Sequence, residues 1–394
     1  MTREVVFVGA ARTAIGSFGG SLKDVPPADL GALVIKTALE RAGVAPKDVG
    51  HVVVGHVIPS VPQDAYISRV AALNAGVPQE APAFNVNRLC GSGLQAIVSA
   101  AQAIQLGDCE VAVGAGAESM SRGAYLVTSN RWGARMGDVK MLDFMLGALH
   151  DPRMHIHMGI TAENVAARYE ITREQQDAYA VQSQQRAAKA IAAGYFKEQI
   201  VPVEIKTRKG VVLFDTDEGV KADTNVEALA KMKPAFKKED GTVTAGNAST
   251  LNDGAGAVVM ASADKAKELG LKPLARLVSY GHAGVEPEYM GIGPVPASRN
   301  ALDKAGLTVA DMDVIEANEA FAAQACAVAK ELGLDNEKVN PNGSGISLGH
   351  PVGGTGAILV TKAIYELQRT GGRYALITMC IGGGQGIAMV IERV

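Results

Sequence analysis

The chain alternates short, nearly uninterrupted apolar runs with longer segments whose apolar residues recur at helical spacing. Val52-Val53-Val54, residues 111–115 and residues 374–379 are runs of the first kind and read as strands covered on both faces. The Ala-rich stretch after Ser92 and the stretch from about 161 to 193 read as helices. Their alternation predicts mostly parallel sheets with helices on both faces, an α/β protein of layered α/β/α architecture. Residues 374–390, the most membrane-like stretch, are broken by Gly382, Gly383, Gly384 and Gly386 and read as strand, glycine turn and strand.

The pattern occurs twice. Residues 38–55, ALERAGVAPKDVGHVVVG, lie on residues 301–318, ALDKAGLTVADMDVIEAN, at an offset of 301 − 38 = 263. The same offset, without a gap, lays Cys90-Gly-Ser-Gly-Leu on Gly353-Gly-Thr-Gly-Ala and Val111-Ala-Val on Tyr374-Ala-Leu. One register held over three segments predicts a duplicated fold. Between the copies, residues 121–245 carry Trp132, three of the seven histidines and many charges, and read as an insertion that could act as a lid. Residues 242–262, TVTAGNASTLNDGAGAVVMAS, return to small residues and should rejoin the sheet of the first copy. The expected division is residues 1–120 with 246–271 as one half, 121–245 as an inserted loop domain, and 272–394 as the other half.

Composition narrows the partners. A net charge of −3 and 5% aromatic residues give neither a polyanion footprint nor material for base stacking, so nucleic acid is not expected. The start, MTREVVFVG, lacks an apolar signal core, and a cytoplasmic protein without membrane association is the expectation. Cys90, Cys109, Cys326 and Cys380 are far apart and form no CxxC pair, which disfavours disulfides and structural zinc. Glycine, at 45 residues, is about 1.6 times as frequent as usual, so the places where it clusters matter.

Those clusters flank reactive groups. Cys90, in NRLCGSGLQAIVSAAQAI, stands where a strand-like run gives way to a helix, and the helix dipole and a nearby base are expected to raise its thiolate fraction. A small buried cysteine at a helix start is the alternative, although Gly353 at the equivalent position shows that the fold itself needs no sulfur there. GSGISLGHPVGGTGAILV (343–360) sets His350 between a Gly-rich loop and a helix, without the GK[ST] ending of a phosphate loop. His350 corresponds to Asn87 in the repeat (350 − 87 = 263), so the two loops should share one end of the paired sheets. Cys380, in CIGGGQG, and Asn318 with Glu319, in NEAFAAQ, follow strands and should reach the same rim. Two thiols, an imidazole and an amide can build a nucleophilic Cys/His site. Metal binding by the same set is the rival, but the spacings match no common zinc pattern.

NRLCGSGLQA, NASTLNDGAGA, NEAFAAQ, GHPVGGTGA and CIGGGQG, in this order, resemble the thiolase family over essentially the whole chain. The MTRE start and the SLKD segment (21–24) resemble its bacterial biosynthetic β-ketothiolases. The resemblance implies a duplicated thiolase-like fold with an inserted loop domain and a ping-pong acyl transfer between coenzyme A thiols. In it Cys90 would be the acylated nucleophile, His350 would take its proton, and Cys380 would move the proton of the second acyl-CoA. Asn318, holding a water, would join His350 in one oxyanion hole, and the backbone N–H groups of Cys90 and Gly382 would form the other.

For coenzyme A the resemblance points to His157, Met158 and Ser249 at the pantetheine, and to Lys221 near the nucleotide, where relatives often carry Arg. Met290 and Phe321, with Leu149 and Ala320, would line the acyl end. Thr250 and Gly354 depart from the family's usual Gly and Ala at positions read as peripheral. No permanently bound cofactor or metal is implied, only coenzyme A and acyl-CoA as substrates, and the assembly would be a homotetramer of two dimers. A ketoacyl synthase, with two histidines beside its cysteine, and a silent acyl-CoA-binding protein are the competing readings.

Overall fold

The computed structural model describes residues 3–394; Met1 and Thr2, which open the MTRE start, lie outside them. Nine strands run through one sheet: β1 (Val5–Arg12), β2 (His51–Gly55), β3 (Ala83–Val86), β4 (Val111–Ser119), β5 (Asn252–Ser262), β6 (Ala275–Gly284), β7 (Val314–Ala317), β8 (Tyr374–Ile381) and β9 (Gln385–Arg393). Their order is β7-β8-β9-β6-β1-β5-β4-β2-β3, and Gly16–Ser17 adds a two-residue tenth strand beside β5. Seven helices matter for the site: α1 (Pro27–Ala42), α2 (Ser92–Leu106), α3 (Met158–Arg168), α4 (Arg173–Ala192), α5 (Pro294–Ala305), α6 (Ala322–Leu332) and α7 (Thr355–Thr370).

The duplication is visible in the elements. Helices α2 and α7 start 355 − 92 = 263 residues apart, and strands β4 and β8 start 374 − 111 = 263 residues apart. The segment after the insertion does return as β5, antiparallel to both β1 and β4. The expectation of mostly parallel pairing fails. Only β4-β2-β3 and β7-β8 run parallel, and all other neighbours run antiparallel. For β8 and β9 the reason is local: β8 returns into β9 through a glycine turn at once, and a tight turn can only join antiparallel strands.

Side-chain alternation sorts the core into layers. From β1, Phe7 faces a cluster built on Leu94, Ile97, Leu359 and Val360, whereas Val6 and Val8 face Leu30, Val34 and Leu39 of α1. Helix α5 covers the far half of the sheet against Ile315, Leu376 and Val390. Helices α2 and α7 therefore form a middle layer shared by both halves. They meet almost backbone to backbone. A Cβ on Gly93 would stand 2.9 Å from the Gly353 carbonyl oxygen, and one on the repeat-equivalent Gly356 would stand 2.3 Å from Leu94 N. Only glycine permits that approach, which brings the two helix N-termini, and the loops before them, to one place.

The helix expected over 161–193 is two helices, α3 and α4. Glu170 at φ 55° breaks the chain, and Thr172 with Gln175 starts α4 with a reciprocal capping box. Among the described residues no helix is long and apolar enough to cross a membrane.

Candidate active site

Three loops carry the reactive side chains to this junction. Leu89, just before Cys90, has φ 46°, a left-handed conformation that costs about 1–2 kcal/mol for a residue with a Cβ. Its neighbours hold it there. Asn87 Oδ1 accepts from Leu89 N at 2.9 Å, and Ser92 Oγ accepts from Arg88 N at 2.8 Å while donating to the Leu89 carbonyl at 2.6 Å. This turn aims Cys90 into a cavity of about 580 Å³.

His350 reaches the same cavity from the loop before α7. Its N–H donates to Asn252 Oδ1 at 2.9 Å, and any side chain on Gly349, whose φ is 112°, would collide with Asn252. Thr250 lines the cavity and its hydroxyl donates to Asn252 Oδ1 at 2.8 Å, so this position supports the His350 loop and is not peripheral as its place in the motif suggests. Cys380, buried at the end of β8, and Gly382 in the following turn complete the floor.

Asn318 is placed differently. It lies behind His350, with Nδ2 3.4 Å from His350 Nε2, and lines a void of about 10 Å³ beside Ser344 and Thr355, not the main cavity. Its Oδ1 has no hydrogen-bond partner among the described residues. Glu319 leaves the rim altogether. Its buried carboxylate accepts from Ser183 Oγ at 2.6 Å, Asn340 Nδ2 at 2.9 Å and Ile346 N at 3.2 Å, tying α4 to the His350 loop. The residues expected around the substrate gather as a set: His157, Met158, Ser249, Lys221, Leu149, Met290, Ala320 and Phe321 all line the cavity.

Electrostatics reverses the expectation for Cys90. Burial pushes its thiol up to about 11, and the N–H groups of Gly382 and of Cys90 itself pull back only part of that. Burial also pushes His350 down to about 4, and Cys380 rises further through burial and the nearby Cys90. With the thiol raised and the imidazole lowered, burial favours the neutral form of both groups. Iodoacetamide alkylation of Cys90 should therefore hold a plateau between those two values, whereas a free thiol accelerates about tenfold per pH unit below its pKa. A tenfold-per-unit rise across that window would show that the sulfur reacts only through the small thiolate fraction of an unassisted thiol, without His350 as its base.

The family model for the thiolase N-terminal domain matches residues 5–264, and that for the C-terminal domain matches residues 271–393. The chain belongs to the thiolase family. It is 67% identical over its full length, and over the full length of the relative, to a β-ketothiolase BktB of Cupriavidus necator. It is 53% identical, over 99% of this chain and 100% of the relative, to an acetyl-CoA acetyltransferase of Chromobacterium violaceum. Among solved structures, human mitochondrial 3-ketoacyl-CoA thiolase in complex with CoA superposes with a TM-score of 0.96 at 46% identity, covering 100% of this chain and 98% of that one.

Several residues of this thiolase's site escape the sequence reading. Phe236 stacks on His157 with ring centroids 4.7 Å apart at 18°, and meets Phe321 edge on at 6.3 Å. An aromatic alone in the charged run 231–240 was the available signal. Glu118, at the end of β4, gathers the loops: its carboxylate accepts from Val57 N and Ile58 N at 3.1 Å each and from Gly353 N at 2.9 Å. His56 Nδ1 lies 3.0 Å from Glu118 Oε1 and 2.9 Å from the Ala117 carbonyl. The signal here was an acid ending an otherwise uncharged run, VAVGAGAES.

Burial alone would lower His56, but Glu118, the Ala117 carbonyl and Asp64 outweigh it and raise His56 to about 9. A group raised in the folded state contributes stability in full below its unfolded value near 6.5 and loses it as pH rises through about 9. The melting temperature should fall over that interval, and His56→Gln should flatten the fall. An equal slope in wild type and variant would assign the pH dependence elsewhere.

Proposed function

We propose that this thiolase exchanges acyl groups between coenzyme A thiols through a thioester on Cys90. The observation that carries the reading is the convergence of Cys90, His350, Cys380 and Gly382 on one cavity whose walls include all eight expected substrate residues. In the cleaving direction His350 takes the Cys90 proton as sulfur attacks the ketone carbon of a 3-oxoacyl-CoA. The N–H groups of Cys90 and Gly382, which face the Cys90 sulfur, receive the oxyanion. The carbon–carbon bond breaks, the acetyl-CoA enolate takes a proton from Cys380, and Cys90 keeps the shortened acyl group. Free coenzyme A gives its thiol proton to Cys380 and attacks the thioester, and Cys90 leaves with the proton held by His350. The reverse sequence is a Claisen condensation of acetyl-CoA with the acyl-enzyme.

The imidazolium formed in the first step serves the enolate oxygen, and Asn318, which lies behind the ring, would join it through a water. His157, Met158 and Ser249 take the pantetheine and Lys221 the nucleotide end, while Leu149, Met290, Ala320 and Phe321 surround the acyl group. We keep residues 1–120 with 246–271 and residues 272–394 as the two halves, and 121–245 as the coenzyme A-binding insertion. Its exposed Tyr125, Trp132, Met136 and Met141 support a contact between dimers in a cytoplasmic homotetramer. No permanent cofactor takes part in this scheme.

The test is the loss of acetoacetyl-CoA, followed as its magnesium enolate, on addition of coenzyme A, with 3-oxohexanoyl-CoA alongside. Rapid coenzyme A-dependent loss supports the reading, and the rate on the longer substrate reports the width of the acyl pocket. Tight binding without turnover would leave an acyl-CoA-binding protein.

A further inference from the structure

The scheme above asks His350 to offer a lone pair to Cys90, and an imidazole has two nitrogens that can hold its resting proton. Which one holds it is decided by the partner of the other. His350 and Thr355 are both buried, and His350 Nδ1 lies 2.7 Å from Thr355 Oγ1. Thr355 Oγ1 lies 2.9 Å from the Pro351 carbonyl oxygen, which also accepts the N–H groups of Gly354 and Thr355 in the first turn of α7.

A carbonyl oxygen can only accept, so a Thr355 hydroxyl donating to Pro351 turns its lone pairs toward His350 Nδ1. Ring and hydroxyl are then satisfied together. The opposite orientation, with Thr355 Oγ1 donating to Nδ1, would take the hydroxyl proton away from the Pro351 carbonyl and put the resting ring proton on Nε2. We propose that Thr355 is a positioning residue that holds His350 in its Nδ1–H form, so that Nε2 presents the lone pair that takes the Cys90 proton.

The choice of a hydroxyl has a consequence of its own. A carboxylate in this place would raise the basicity of the ring, whereas neutral Thr355 orients the imidazole without doing so. His350 therefore stays a weak base that removes the thiol proton only as sulfur attacks, and as an imidazolium it returns that proton readily. The Nδ1–H bond to Thr355 persists through both half-reactions.

The proposal rests on His350 acting as the base of Cys90, and three variants separate the two ideas. Thr355→Val keeps the branched shape and removes the hydroxyl, Thr355→Ser restores it, and His350→Gln removes the base. Iodoacetamide alkylation of Cys90 and kcat for acetoacetyl-CoA cleavage should fall about 100-fold in Thr355→Val with KM little changed, and recover to within about threefold in Thr355→Ser. Nitrogen NMR of 15N-histidine protein, with His350 assigned by difference against His350→Gln, should show the proton on Nδ1 in the wild type. That measurement stands even if Thr355→Val fails to fold. Slowing in His350→Gln but not in Thr355→Val, or a proton on Nε2, overturns the assignment to Thr355 alone; no slowing in His350→Gln overturns the base itself.

Discussion

Cys90→Ala should lose about six orders of magnitude in coenzyme A-dependent acetoacetyl-CoA cleavage, while still binding acyl-CoA. The size follows from the scheme: without sulfur there is no thioester, and neither the oxyanion donors nor the neutral imidazole has a nucleophile to assist. The cavity wall loses one half-buried atom, so the variant should fold and its melting temperature should stay near that of the wild type. On incubation with acetyl-CoA, mass spectrometry should find an acetyl group on the Cys90 peptide of the wild type and none in the variant. Residual cleavage within about 100-fold of the wild type, or an acetyl group on Cys380, would move the nucleophile away from Cys90.

Glu118→Ala should destabilise the folded protein by about 3–5 kcal/mol. The carboxylate is fully buried, and its removal leaves the N–H groups of Val57, Ile58 and Gly353 without their acceptor and the raised His56 without its main counter-charge. Gly353 N belongs to the loop that places His350, so cleavage should fall with stability. Glu118→Gln, which keeps an acceptor oxygen but not the charge, should recover part of both. The denaturation midpoint reads the first effect, and a midpoint in Glu118→Ala equivalent to less than about 1 kcal/mol of loss would show that the loops are held by other contacts.

Several parts of this site were legible before any coordinate, and for a common reason. A duplicated register reports geometry: once His350 is aligned with the residue three before Cys90, the two loops must share an end of the fold, and they do. Glycines at 93 and 356 mark where two backbones touch, because no other residue fits. The reading missed Glu118, His56, Thr355 and Phe236. Their roles depend on which atoms end up across from them, and those partners lie on segments with no fixed spacing to them in the chain.

The sequence by itself determined that the fold is duplicated, that Cys90, His350 and Cys380 meet, and that the insertion supplies part of the pocket, because these are properties of period, register and motif. Only the tertiary structure decided the direction of most strands, the withdrawal of Asn318 and Glu319 from the main cavity, and the burial that pushes the Cys90 thiol up. Strand direction follows from how each connection closes, and ionisation from how much water the packed chain leaves around a group. Both are set by segments brought together in space, and burial at the junction of two helix ends raises the Cys90 thiol where a single helix start suggests the opposite.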